Sequence, residues 1–286
     1  MTANDSVDRL IEMAISEDMA AGDVTSQYFI DEEKLARGWI VVKSPGVASG
    51  VEVAARVFQQ VDPRLDVEIL IPDGSRVGAG ALLMKVEGSA RSILGAERTA
   101  LNFLQHLSGV ATLAAAYVDA VDGTKARILD TRKTTPGYRY LEKQAVRDGG
   151  ATNHRMALHD RVMIKDNHWV AADGLDVLQS NIMRLKADRP EIEVELEADS
   201  LQQVSEFLEL RHIDYILLDN MSLDELRAAV TARGEVGPPW LEASGGINLQ
   251  SVRDVAETGV DFISVGALTH SAPALDIGMD FVSVEE

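Results

Sequence analysis

From about residue 126 to residue 266 the chain alternates short apolar runs with amphipathic stretches, and no other feature narrows the fold as much. ARILD (126–130), RVMIKD (161–166), IEVELEAD (192–199), DYILLDN (214–220), WLEASGG (240–246) and VDFISVG (260–266) read as strands. Between them, YRYLEKQAVRD (138–148), VLQSNIMRLKAD (177–188), LQQVSEFLEL (201–210), LDELRAAVTARG (223–234) and LQSVRDVAETG (249–259) read as helices. Ser200 and Ser222 stand where N-caps belong. Repeated βα units with short connections dictate a parallel sheet, closed or doubly wound. Six strands in so short a stretch fit a compact barrel. Neither GxGxxG nor a Walker A sequence is present to favour a nucleotide-binding sheet.

The first third reads differently. Residues 6–19 form an amphipathic helix, with Val7, Leu10, Ile11, Ala14 and Ile15 on one stripe. Residues 38–44, 65–71 and 81–87 read as strands separated by the turn signals SPG, PDG and VGAG, with a short helix at 50–61. This is an α+β pattern built on an antiparallel sheet. A long helix over 96–121 leads into the barrel.

Charge separates the two regions further. Residues 127–165 hold nine Lys or Arg against four Asp or Glu, inside a chain of formal charge −19. Like charges gathered in one stretch call for an anion to neutralise them. The basic residues are spread over strand ends and loops, which suits a pocket for a small polyanion. The acidic remainder would repel nucleic acid and anionic membranes, so neither is an expected partner. Cysteine is absent, which removes disulfides, thiolate metal sites and cysteine nucleophiles. The acidic, amphipathic amino terminus is not a targeting peptide, and a cytoplasmic location is expected.

In α/β barrels the reacting face lies at the carboxyl ends of the strands. Those ends carry Asp130-Thr131-Arg132-Lys133, Lys165-Asp166-Asn167-His168, Asp219-Asn220, Ser244-Gly245-Gly246 and Gly266. Alternation puts Glu195 and Glu197 on one face of their strand. Gly245, Gly246 and Gly266 let backbone N–H groups approach an anion, and the helices that follow would add their positive ends, so the last two strands are expected to hold a phosphate. Glu197 and Asp219, hard carboxylates on nearby strands, suggest Mg²⁺ held jointly with substrate oxygens; ion pairing with Lys133 or Lys165 is the competing role. His154 and Arg155 follow the basic helix in a loop. His106, on an apolar helix, reads as buried packing. Arg139, Lys143 and Arg147 recur at i, i+4 and i+8 and read as a solvated or subunit-facing stripe.

Longer motifs point to a family. ERTALNFLQHLSG (97–109), DTRKTTPG (130–137), LEKQAVRDGGATNHR (141–155), IKDNH (164–168), LLDN (217–220), EASGGI (242–247), ISVGALTHSAPALD (263–276) and the early GDVTS (22–26) resemble quinolinate phosphoribosyltransferase over essentially the whole chain. Ala151 and Ala157 stand where glycines are expected, and Asp148 where a small residue is usual. The resemblance implies an amino-terminal α/β sandwich of residues 1–110, joined by the tail 270–286, and a TIM-like barrel of six to seven parallel strands over 111–269. It also implies transfer from phosphoribosyl pyrophosphate to quinolinate with loss of CO₂, using Mg²⁺. By the same resemblance Thr131, Arg132, His154, Arg155 and Lys165 would hold quinolinate, and Arg98 would reach the neighbouring site of a homodimer or larger assembly. Lys133, Glu197, Asp219, Ser244, Gly245, Gly246 and Gly266 would hold phosphoribosyl pyrophosphate, with the metal on Glu197 and Asp219 and Glu195 as the alternative to Glu197. Lys133, Lys165, Glu197 and Asp219 would take part in the chemistry.

Overall fold

The computed structural model describes residues 3–165, 174–234 and 237–284. It divides into two compact units. One comprises the chain up to Ala115, Thr134–Gly150 and the chain from Leu268; the other comprises Ala116–Lys133 and Ala151–Ala267.

The first unit is built on a four-stranded antiparallel sheet. Strands β1 (Leu35–Val42), β3 (Asp66–Ile69), β5 (Leu82–Ser89) and β12 (Ile277–Ser283) lie in the order β12-β1-β5-β3, and β2 (Gly46–Val47) pairs separately with β4 (Arg76–Val77). One face of β1, formed by Ala36, Gly38, Ile40 and Val42, is buried, while Arg37, Trp39 and Val41 are partly exposed. Such alternation is what a sheet with one wet face requires. Helices α1 (Ala3–Met19), α3 (Val51–Val61) and α4 (Ala90–Ala120) complete the unit, with α4 running six residues earlier than its apolar pattern suggests. Two elements escape the sequence reading. Helix α2 (Val24–Phe29) is a single capped turn and a half, with Asp23 accepting from the Ser26 N–H. Strand β12 is the tail itself, an edge strand whose Gly278 and Asp280 interrupt its apolar alternation.

Helix α5 (Arg139–Asp148) belongs to the first unit. A Cβ on Gly149 at its end would lie 2.3 Å from the Ala111 carbonyl oxygen, so only glycine permits this approach to α4. The tight packing corrects the stripe expected to be solvated or subunit-facing. Arg147 is exposed, but Lys143 and its neighbour Glu142 are fully buried, because that face of α5 points inward. His106 is likewise not simple packing. Its ring is partly exposed, and Nε2 lies 2.9 Å from Glu142 Oε1. Asp148, the unusual residue in its motif, accepts hydrogen bonds from Ser49 Oγ (2.6 Å) and Gln144 Nε2 (2.8 Å).

Helix α3 starts at Gly50, whose φ of 84° and lack of a side chain leave no cap of its own. Asp73 supplies one from the β3–β4 connection, accepting the Val51 N–H at 2.8 Å. Burial, reinforced by the Asp148 charge and opposed by the Val51 N–H, pushes its carboxyl up to about 6. A carboxyl that binds its proton more tightly folded than unfolded opposes folding once ionised. Stability should therefore rise as pH falls from about 7 toward 4. Asp73→Asn, which keeps the acceptor, should flatten that slope and stabilise the protein by about 1–2 kcal/mol at pH 8; thermal melts between pH 5 and 8 measure both effects.

The second unit carries six parallel strands in the order β6-β11-β10-β9-β8-β7. These are β6 (Arg127–Leu129), β7 (Arg161–Ile164), β8 (Glu193–Ala198), β9 (Tyr215–Asp219), β10 (Trp240–Ser244) and β11 (Phe262–Ser264). Helices α6 (Leu175–Asp188), α7 (Leu201–Leu208), α8 (Leu223–Arg233) and α9 (Val252–Ala256) lie between them, and α10 (Ala267–His270) follows β11, with Leu268 onward belonging to the first unit. Ser200 caps α7 through the Gln203 N–H, and Ser222 forms a full capping box with Glu225 on α8. The strands bury Val194, Leu196, Ile216, Leu218, Leu241 and Ala243 completely or nearly so. The intervening positions carry the polar and aromatic side chains, which meet one another. Arg161 stacks over the Tyr215 ring, Tyr215 tilts against Phe262, and Trp240 meets Phe262 edge-on. No helix among the described residues is long and apolar enough to cross a membrane.

Candidate active site

Strands β7 and β8 face each other as a ladder of opposite charges. Their register pairs Arg161 with Glu193 and Met163 with Glu195, and the next step in the alternation brings Lys165 to Glu197. Arg161 Nη2 lies 2.6 Å from Glu193 Oε2, and Lys165 Nζ lies 2.5 Å from Glu197 Oε2. Cross-strand neighbours on one face interact directly, so alternation alone places these three glutamates in a row. Lys165 is the pairing partner for Glu197 that the sequence left open.

Above this ladder, at the carboxyl ends of the strands, a cavity of about 380 Å³ opens. Thr131, Arg132 and Lys133 after β6, His154 and Arg155, Lys165 after β7, Glu197, Asp219 and Ser244 all line it. Of the residues expected there, nine of the second unit therefore converge. The cationic cup is real: Arg155 is depressed from its usual pKa by burial first and by the Arg132 charge second. Two guanidiniums held close enough to disfavour one another are poised for an anion. Arg155 meanwhile donates to the Arg161 carbonyl at 3.2 Å.

The glycine turns behave only partly as expected. Gly245 and Gly246 have φ of 104° and 61°, and a Cβ on Gly245 would lie 2.1 Å from Asn220 Oδ1, so glycine is required where the β9 and β10 ends meet. Neither they nor Gly266 line the cavity; Ser244 and Ser264 do. The expected helix ends are also missing. After Gly246 the chain makes a turn in which Asn248 Oδ1 accepts from Gln250 and Ser251, and α9 begins only at Val252. After Gly266, α10 is a single turn of four residues. Any anion here meets backbone and serine groups rather than a helix dipole. Arg98 is exposed on α4, in the first unit. Asp166, Asn167 and His168 lie outside the described residues.

Of the acids beneath the cup, the sequence reading placed Asp130 at a strand end and left Glu195 as the alternative to Glu197, but did not single out Glu242. Glu195 and Glu242 are fully buried, and Glu242 lines the cavity floor. His154 Nε2 lies 3.2 Å from Glu195 Oε2 and 3.4 Å from Glu242 Oε2. These are the one group of three His, Asp or Glu side chains among the described residues whose ligand atoms lie within 4.8 Å of one another. Burial disfavours charge on His154, yet the two carboxylates outweigh it and push its pKa up to about 9. Its other nitrogen argues against a second ring proton: Nδ1 accepts the Arg155 N–H at 2.7 Å. That bond fixes the tautomer, because an acceptor nitrogen cannot also carry a hydrogen. The ring proton then sits on Nε2, facing the carboxylates, and burial together with the Glu242 charge raises the Glu195 carboxyl. Asp130, also buried, accepts from Asn153 Nδ2 (2.6 Å) and from the His154 N–H (2.8 Å).

Comparison with known proteins agrees with this arrangement. Residues 23–108 match the quinolinate phosphoribosyl transferase N-terminal domain, and residues 110–280 match its C-terminal domain. Over 276 residues the chain is 45% identical to the nicotinate-nucleotide pyrophosphorylase [carboxylating] of Mycobacterium leprae, covering 94% of this chain and 95% of that one. It is 40% identical to quinolinate phosphoribosyltransferase [decarboxylating] 1b of Nicotiana tabacum, covering 94% and 81%. The crystal structure of NadC from Streptococcus pyogenes superposes with a TM-score of 0.91 at 37% identity, covering 100% of this chain and 99% of that one. The nicotinate-nucleotide pyrophosphorylase of Francisella tularensis gives 0.89 at 36%, covering 99% and 98%. With both domain models matched in order along nearly the whole chain, this protein belongs to the quinolinate phosphoribosyltransferase family.

Proposed function

We propose that the protein transfers phosphoribose from phosphoribosyl pyrophosphate to quinolinate with decarboxylation, giving nicotinate mononucleotide, pyrophosphate and CO₂ in NAD biosynthesis. The observation that carries this reading is the convergence of Arg132, Lys133, Arg155 and Lys165 with Glu197 and Asp219 on one cavity at the strand ends. Quinolinate is a dianion and its partner carries several more charges, so bringing them together in a confined site requires fixed cations. Arginine forks match carboxylates bidentately. Thr131, Arg132, His154, Arg155 and Lys165 would take the two quinolinate carboxylates. Lys133 and Ser244 would take phosphate oxygens, with Gly245 and Gly246 shaping the turn that follows Ser244.

Glu197 and Asp219 suit Mg²⁺. They are oxygen donors on adjacent strands at the cavity wall, and no third His, Asp or Glu ligand groups with them among the described residues. That leaves most coordination positions for substrate oxygens and water, as Mg²⁺ prefers. When bound, the ion would neutralise charge on the departing pyrophosphate. The chain's own part is to align the pyridine nitrogen with the ribose carbon, to steady the leaving group with Lys133, and to restrict water. Lys165, paired with Glu197 here, would exchange that partner for a substrate carboxylate. Once ribosylated, the ring nitrogen is cationic and stabilises the carbanion left by CO₂. No protein nucleophile is needed.

Incubation with quinolinate, phosphoribosyl pyrophosphate and Mg²⁺ should release CO₂ and pyrophosphate in equal amounts, and nicotinate in place of quinolinate should give none. Turnover of nicotinate, or pyrophosphate without CO₂, would overturn the reading. The same reading makes the protein a cytoplasmic homodimer in which Arg98 serves the neighbouring site. Mixed dimers of inactive Arg98→Ala and inactive Lys165→Ala subunits should then regain activity, up to about a quarter of wild type if one site per heterodimer is intact and subunits mix at random. Verified heterodimers with no recovery would remove Arg98 from the site.

A further inference from the structure

Beneath the cationic cup lie three buried carboxyl groups that the proposed chemistry does not use. Asp130, Glu195 and Glu242 come from β6's end, β8 and β10, and all three are fully buried. Burying a carboxylate is costly unless something repays it, and burying several beside one another in an anion-binding site is costlier still. Glu242 is the extreme case. Neither of its carboxylate oxygens accepts a conventional hydrogen bond among the described residues, although it lines the cavity.

Most of their contacts converge on one segment, although Glu195 Oε2 also lies 3.6 Å from Arg161 Nη1. Asp130 takes the Asn153 side chain and the His154 backbone N–H. Glu195 and Glu242 flank Nε2 of the same histidine. Its Nδ1 in turn holds the Arg155 backbone N–H. The segment 153–155 lies in a loop without regular hydrogen bonding of its own, and it ends in the arginine given a carboxylate-binding role above.

We propose that Glu195 and Glu242 are positioning residues: through the Nε2 edge of His154 they fix the imidazole, and through its Nδ1 they fix the backbone from which Arg155 reaches the acceptor's carboxylate. This rests on the proposed function for its catalytic meaning. The chain of contacts runs carboxylates, imidazole, amide, guanidinium, and each link is a single side-chain or backbone contact. Two carboxylates rather than one define the ring's plane as well as its tilt, since a single acceptor would let the ring pivot about Cβ. The arrangement also explains why negative charge is tolerated below an anion site. It is directed at the His154 ring and, on Glu195, also at Arg161 Nη1.

Glu242→Gln tests it, because glutamine keeps the volume while its amide can donate to Nε2 as readily as accept. We expect the quinolinate KM to rise about tenfold or more, with the phosphoribosyl pyrophosphate KM changed less than about twofold and thermal stability kept or raised. In a His154→Ala background the same substitution should add less than about twofold, because the residue it acts through is gone. Glu195→Gln should repeat the pattern, and serves if Glu242→Gln fails to fold. An unchanged quinolinate KM in both variants, or full multiplication of the Glu242→Gln and His154→Ala effects, would overturn the proposal. A readout independent of turnover is the ¹⁵N spectrum of the His154 ring at pH 7.5. Wild type should show a protonated Nε2 and a bare Nδ1, and either variant should disturb that pattern. A wild-type ring protonated on Nδ1, or a spectrum unmoved by both variants, would sink the positioning role even if quinolinate turnover is confirmed. Absent turnover with the expected spectrum would sink only the substrate assignment.

Discussion

Arg155→Ala should lower kcat/KM for quinolinate by about 100- to 1,000-fold while the protein stays folded. Charge-assisted hydrogen bonds contribute about 1.5–3 kcal/mol each, and a guanidinium can make two to one carboxylate. Losing both removes roughly 3–5 kcal/mol, and each 1.4 kcal/mol is a factor of ten. In the resting protein Arg155 is disfavoured by burial and by Arg132, and its guanidinium contacts are a backbone carbonyl and the Met163 sulfur. Truncation therefore relieves repulsion rather than breaking an ion pair, and the melting temperature should hold or rise. What should vanish is the stabilisation that quinolinate gives, measured as a thermal shift with and without ligand. Wild-type turnover in this variant would contradict the site.

Asp261→Ala should do the reverse, costing about 3–5 kcal/mol of stability with little change in turnover per folded molecule. Asp261 immediately precedes β11, at the end of the strand away from the cavity-lining Ser264. Its carboxylate accepts from Lys125 Nζ (2.8 Å), Arg233 Nη1 (2.8 Å) and the Leu241 N–H (2.9 Å). Burial raises its pKa, but these donors outweigh burial and hold it below the ordinary value. A depressed carboxyl stabilises the fold above its unfolded pKa, and that contribution is lost as pH falls through the folded value. Acid should therefore weaken the wild type below about pH 4 more than the variant. In the variant the Arg233 side chain, only 3% exposed, would be left without this carboxylate. Denaturant unfolding at pH 7 and pH 4 measures both effects. Equal stability of the two proteins at neutral pH would show that the Asp261 network is neutral.

Much of this molecule was legible before any coordinates. The alternation after residue 126 dictated parallel strands, and the rule that barrel chemistry sits at strand carboxyl ends selected Thr131, Arg132, Lys133, Lys165, Asp219 and Ser244 correctly as cavity-lining residues. Periodicity gives a side chain's face but not its depth. Glu193, Glu195 and Glu197 share a face, yet only the pairing register shows that Glu195 lies buried against His154 while Glu197 reaches the cavity. Glu242 fails for the same reason: in WLEAS it looks like any strand glutamate. Lys143 was misjudged because i, i+4 spacing defines a stripe without saying what covers it. The cap on α3 was invisible because Asp73 approaches from 22 residues away in sequence. The missing helix ends after Gly246 and Gly266 reflect local turn chemistry at Asn248 and a one-turn helix, which a composition of glycines does not reveal.

The facing charges of β7 and β8 bear on how this scaffold could be altered. In a sheet, sliding one strand by a single residue exchanges everything it shows to its two sides. Here such a slip would swing Arg161 and Lys165 out of the barrel and set Val162 and Ile164 against Glu193 and Glu195. Among the described residues strand β7 ends the sheet order and pairs with β8 alone, which must keep it aligned. The cation and the acid given substrate roles under the proposed function are thus also the teeth of a ratchet. Retuning acceptor choice by changing Lys165 or Glu197 singly loosens that alignment, whereas exchanging the two together preserves it.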